Sequence, residues 1–110
     1  MRIFSDMEVF IVEVSPALVL RTVDGRAEYR VEGQRVFGRA YFSWHPRSVF
    51  ISRRHFAVEY LEGTYFVEDL GSTNGTFLNG VDIRGMGKTP LRLGDVINVA
   101  GVLELVVAYK

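Results

Sequence analysis

Ser52-Arg53-Arg54-His55 and the run Asp69-Leu70-Gly71-Ser72-Thr73-Asn74-Gly75-Thr76 place guanidinium, hydroxyl, imidazole, carboxylate and amide groups on two short stretches. An anion with several oxygens needs such a set: a planar bidentate donor, smaller hydroxyl donors and free backbone N–H groups. Arg39 follows Gly38 at the expected end of one strand, and Ser52-Arg53-Arg54 follows the apolar Val49-Phe50-Ile51. Thr73-Asn74-Gly75 adds hydroxyl and amide groups on a third loop. Lys+Arg and Asp+Glu number 13 each, so the formal net charge is zero and any anion site must be local.

Other chemistries leave different neighbours. Gly87-Lys88-Thr89 resembles the end of a phosphate-binding P-loop, but the glycine required five positions earlier is Asp82, and Pro90 blocks an immediate helix. Ser52, His55 and Asp69 supply the residue types of a nucleophile, base and orienter, yet nothing resembles a nucleophile elbow. As structural residues, the serine satisfies a turn and the histidine braces one. His45 and His55 are the only histidines, cysteine is absent, and no HExxH or calcium-loop pattern occurs, so neither a metal nor a cofactor is expected. Glu68 and Asp69 are neighbours on an expected strand and point to opposite faces, which suits one solvated and one structural acid. Asn74-Gly75-Thr76 is formally a glycosylation acceptor, but no export signal is visible in MRIFSDMEVF.

The elements that must position these groups read as all-β. Runs rich in β-branched and aromatic residues alternate with turn chemistry every ~8–12 residues. Strands are expected over 9–14, 18–23, 28–31, 35–37, 49–51, 56–61, 64–68, 76–78, 81–83, 96–99 and 102–109, with little or no helix. Asp24-Gly25, Glu62-Gly63 and Asn79-Gly80 mark reversals, and Asn79-Gly80 suits a type I′ hairpin between 76–78 and 81–83. So many strands must pack as two antiparallel sheets in a sandwich, since one open sheet would leave an apolar face wet. The 110 residues, 48% hydrophobic, fit one domain over 1–110. No window approaches the ~18 apolar residues of a membrane-spanning helix. The absence of cysteine fits a cytoplasmic location, with a nuclear one the alternative if the chain is eukaryotic.

Gly38-Arg39, Ser52-Arg53-Arg54-His55, Asp69 through Thr76, and Asn79-Gly80 fall in the order of the forkhead-associated (FHA) domain signature, and the chain resembles that family. Leu91-Arg92-Leu93-Gly94-Asp95 and the closing valine-rich strands are similar to its final segment, so the resemblance covers nearly the whole chain. It implies a β-sandwich of about eleven strands that binds phosphothreonine peptides on loops at one end. By resemblance, Arg39 and Ser52 contact the phosphate, Arg53 adds a second basic donor, Thr73 helps hold the phosphothreonine, and Asn74 bonds the peptide backbone. Gly38 and His55 shape the loops, Gly75 belongs to the same turn, and Asn79-Gly80 forms the supporting hairpin. The implied partner is a phosphothreonine-containing protein or peptide in signalling, with no nucleic acid and no membrane.

Between Arg39 and Ser52 the chain departs from the family pattern. Trp44, His45 and Arg47 there either extend the peptide groove or, in the case of Trp44, cover the end of the sandwich. In the family, residue choice after the phosphothreonine is set by loops corresponding to Phe50 and to 94–100. Two further functions compete: a phospho-independent FHA scaffold acting by protein contacts or self-association, and a hydrolase using Ser52 and His55.

Overall fold

A computed structural model describes residues 16–109. Within them lie ten strands: β1 (Leu18–Thr22), β2 (Glu28–Val31), β3 (Gln34–Phe37), β4 (Phe56–Leu61), β5 (Thr64–Asp69), β6 (Thr76–Leu78), β7 (Val81–Asp82), β8 (Thr89–Pro90), β9 (Val96–Val99) and β10 (Leu103–Tyr109). They form a six-stranded sheet in the order β2-β1-β10-β9-β6-β7 and a four-stranded sheet in the order β3-β4-β5-β8. Each strand pair is antiparallel.

Alternation builds the core. Along β5 the buried residues are Tyr65, Val67 and Asp69, each followed or preceded by a half-exposed one, and β9 buries Ile97 and Val99 the same way. Leu20, Phe37, Phe56, Val58, Leu105 and Val107 complete much of the apolar layer between the sheets. Phe37 stacks on Phe56 at 5.0 Å, directly opposite it in the β3–β4 register.

The all-β sandwich stands, with two corrections to its elements. The expected strand over 49–51 is instead a 3₁₀ turn, Ser48–Phe50, closed by Phe50 N–H to Arg47 O at 3.1 Å and Ile51 N–H to Ser48 O at 2.9 Å. Its β-branched residues favour a strand, but the carbonyls of Val49 and Ile51 are taken by the Arg39 side chain rather than by a neighbouring strand. A second 3₁₀ turn spans Arg39–Phe42. Conversely, Thr89–Pro90 pairs with β5 inside what reads in sequence as a loop. The expected strand over 9–14 lies outside the described residues.

The reversal at 79–80 forms as expected. Leu78 pairs with Val81, and Asn79 and Gly80 take φ of +50° and +85°, the double positive that a type I′ turn requires. The chain then uses this hairpin as a strut: the Asn79 amide donates to Asp95 Oδ1 at 3.0 Å and accepts the Val96 N–H at 2.9 Å.

Candidate functional site

Three loop segments meet at one end of the sandwich: the start of the long β3–β4 link, the close of that same link at 52–55, and the β5–β6 crossover. Gly38 starts the first with an extended backbone, and its missing side chain is what lets the second approach. A Cβ built there would stand 1.6 Å from the Arg53 carbonyl oxygen and 3.1 Å from that of Ser52. The contact is closed by Arg39 N–H donating to Ser52 O at 3.0 Å.

His55 is the hub behind these loops. It is fully buried. Nδ1 accepts the Ser52 N–H at 3.0 Å, and Nε2 lies 2.7 Å from the Gly75 carbonyl. Its own backbone joins the ends of two strands, with His55 N–H donating to Phe37 O and His55 O accepting from Leu70 N–H. Burial is the largest influence on the imidazole and lowers its pKa from the ordinary 6.5, against the opposing pulls of the Gly75 bond and the Asp69 charge.

Asp69 organises the crossover. Its carboxylate accepts from Gly71 N–H at 2.9 Å, Ser72 N–H at 3.0 Å, the Ser72 hydroxyl at 2.5 Å and the Thr76 hydroxyl at 2.7 Å. Burial alone would raise its pKa. The bonds from Ser72, Thr76 and Gly71 outweigh that and hold the carboxyl below its ordinary value. Glu68, beside it in sequence, faces outward and pairs with Lys88 at 3.1 Å, so the two acids divide as the strand period requires.

These bonds leave the Ser52-His55-Asp69 trio unsuited to proton relay. The imidazole engages the backbone N–H of Ser52, not its hydroxyl, and Asp69 engages the crossover, not the ring. Among the described residues there is also no group of three or more His, Cys, Asp or Glu able to hold a metal ion. No helix there is long and apolar enough to cross a membrane.

In front of this frame stand the expected binding residues. Thr73 N–H donates to Ser52 Oγ at 3.2 Å, bringing the second and third loops together. Arg39 lies along the 3₁₀ turn, with Nε donating to Ile51 O at 2.8 Å and Nη2 to Val49 O at 3.3 Å, while further N–H groups of its fork have no partner among the described residues. Arg53 is exposed, and its guanidinium has no hydrogen bond or ion pair among the described residues. Asn74 donates from Nδ2 to Phe50 O at 2.8 Å. Gly75 takes φ of +91°, and its carbonyl accepts from both His55 and the Ala100 N–H.

Trp44 packs against the core cluster. It is half-buried there, its Nε1 donates to the Tyr29 hydroxyl at 2.8 Å, and the Arg26 guanidinium lies 5.5 Å above its ring. His45 Nδ1 accepts the Arg47 N–H at 3.0 Å, and the Arg47 guanidinium stands 5.4 Å over the half-exposed Phe50 ring. Arg84 belongs to no motif, yet it donates from Nη1 to Thr73 O at 3.0 Å and pairs with Asp82. Arg84 lies in the turn after β7, where Asp82 Oδ1 accepts its backbone N–H at 3.0 Å, so the sequence signal for that pair is the Asp-x-Arg spacing of an Asx-turn.

The FHA domain family model matches residues 28–100. The probable E3 ubiquitin-protein ligase dma1 of Schizosaccharomyces pombe is 37% identical over 57 residues, which are 48% of this chain and 21% of that protein. The chain therefore spans far less than the whole of that relative. A solved structure from work on phosphothreonine-dependent FHA domain interactions is 27% identical, with a TM-score of 0.67 over 86% of this chain and 97% of that one. The FHA domain of an Arabidopsis thaliana hypothetical protein superposes with a TM-score of 0.74 over 93% of this chain and 94% of that one. At 23% identity it is a likeness of fold.

Proposed function

This chain belongs to the FHA domain family, and on that premise we propose that it is a phosphothreonine-dependent module that recruits phosphorylated partners. The observation that carries the reading is the Thr73 N–H to Ser52 Oγ bond of 3.2 Å. It joins the Ser52 hydroxyl to the Thr73 backbone, and Arg39 N–H to Ser52 O ties in the segment that carries Arg39, so the segments bearing Arg39, Ser52, Arg53 and Thr73 are neighbours. A phosphate ester carries roughly −1.5 to −2 charges and three acceptor oxygens, so it rewards such donors where a neutral hydroxyl cannot. The solved relative concerned with phosphothreonine-dependent interactions, 27% identical, supports the same ligand.

In this reading Arg39 and Ser52 take the phosphate, Arg53 adds charge, and Thr73 and Asn74 seat the threonine and the peptide backbone. Gly38, His55, Gly75, Asn79 and Gly80 hold the loops in place. The chain acts by binding rather than catalysis, as one domain over 1–110. Calorimetry with a degenerate phosphothreonine peptide library and its unmodified counterpart tests the reading. Binding confined to the phosphorylated set is expected; equal affinity for both sets overturns it in favour of a phospho-independent scaffold.

A further inference from the structure

Thr73 is held on both sides. Its N–H donates to Ser52 Oγ at 3.2 Å, and its carbonyl accepts from Arg84 Nη1 at 3.0 Å. Arg84 is itself aligned by Asp82: Nη2 donates to Oδ2 at 2.7 Å, Nε reaches both carboxylate oxygens at 3.1 Å, and the Arg84 backbone N–H donates to Oδ1 at 3.0 Å. Asp82 sits in β7 opposite Phe77 of β6, and β6 begins at Thr76, immediately after the turn that carries Thr73. The contacts therefore close a ring from the turn through the hairpin and back to the turn.

Gly75 makes room for this ring. A Cβ there would stand 3.3 Å from the Arg84 guanidinium carbon and 3.0 Å from the Phe77 ring, so any larger residue would press on the strap. The planar fork matters too, because one guanidinium serves the carboxylate and the carbonyl in fixed directions, whereas an ammonium offers a single point. An exposed ion pair of this kind adds little to stability by itself. Its effect is on geometry: with the carbonyl released, the Thr73–Asn74 unit can turn, and ordering it again becomes part of the cost of binding a ligand.

We propose that Arg84, aligned by Asp82, is a positioning residue that fixes the Thr73–Asn74 turn for the phosphopeptide. The inference rests on the phosphothreonine reading above. Three variants test it, Arg84→Ala, Arg84→Lys and the charge swap Asp82→Arg with Arg84→Asp. Each is titrated with one phosphothreonine peptide taken from the library, with thermal unfolding and amide hydrogen exchange followed on the free protein. Arg84→Ala is expected to weaken binding about tenfold, to leave the melting temperature nearly unchanged, and to speed exchange at the Thr73 and Asn74 amides. Arg84→Lys falls between it and the parent, and it carries the test should the alanine variant not fold. The charge swap keeps an ion pair but puts no donor beside the Thr73 carbonyl, so it stays weak. Binding by Arg84→Ala or Arg84→Lys equal to the parent's, or recovery in the charge swap, overturns the inference while leaving the functional reading intact. A parent chain that ignores phosphothreonine overturns both.

Discussion

The Nε2 of His55 lies 2.7 Å from the carbonyl oxygen of Gly75, and a carbonyl only accepts, so that nitrogen carries the proton. Nδ1 is then free to accept the Ser52 N–H at 3.0 Å, and a single neutral tautomer satisfies both loops. His55→Ala would strand the Ser52 N–H and open a cavity behind the site. We expect a loss of about 3 kcal/mol in denaturant unfolding and weaker phosphopeptide binding in whatever stays folded. Stability unchanged by the substitution would contradict the bracing role.

The same burial gives the histidine a pH signature. Its folded pKa lies below the ordinary 6.5, so between the two values the unfolded chain holds more protons and stability rises with pH. Acidification from neutrality should therefore remove stability as the pH falls below about 6.5, and stop doing so below the folded pKa. Chemical denaturation across pH 5 to 7, compared between the parent and His55→Gln, isolates this slope. Equal slopes in the two chains would refute it.

Gly38 offers a test of backbone approach. Its φ of −160° is one that any residue adopts, so the requirement for glycine is spatial and comes from the Arg53 carbonyl. Because a strand end and a loop would have to separate, Gly38→Ala should cost about 3 kcal/mol and scatter the Arg39 and Ser52 donors. A melting temperature within a degree or two of the parent's would show that the loops can part cheaply.

The strands were readable because alternation and turn chemistry agree: β2, β4, β6 and β9 fall on their expected ranges, and Asn79-Gly80 makes its turn. The 48–50 turn was not, because Val49 and the following Ile51 carry strand propensity while their carbonyls are taken by the Arg39 fork instead of a neighbouring strand. The motif residues around the site were legible from their types and order. Arg84 was not, since its role depends on the hairpin carrying Asp82 back beside Thr73, a closure that no local pattern encodes. Thr89–Pro90 escaped for a related reason: two residues pairing with β5 have no periodicity to display.

Arg39 does two things, and substitutions can separate them. Its Nε and Nη2 bonds to Ile51 O and Val49 O shape the 3₁₀ turn, while its remaining N–H groups are the donors assigned to phosphate. Arg39→Ala removes both, and with each charge-assisted bond contributing about 1.5–3 kcal/mol, phosphopeptide affinity should fall by roughly 100-fold or more. The fold should survive, because the bonds it loses lie at the edge of the sandwich and not in its core. Arg39→Lys keeps the charge but offers one compact donor in place of a fork, so it should recover only a small part of the affinity. Calorimetry on a phosphothreonine peptide with parallel thermal unfolding reads both effects, and full binding by Arg39→Ala would remove the phosphate from this site.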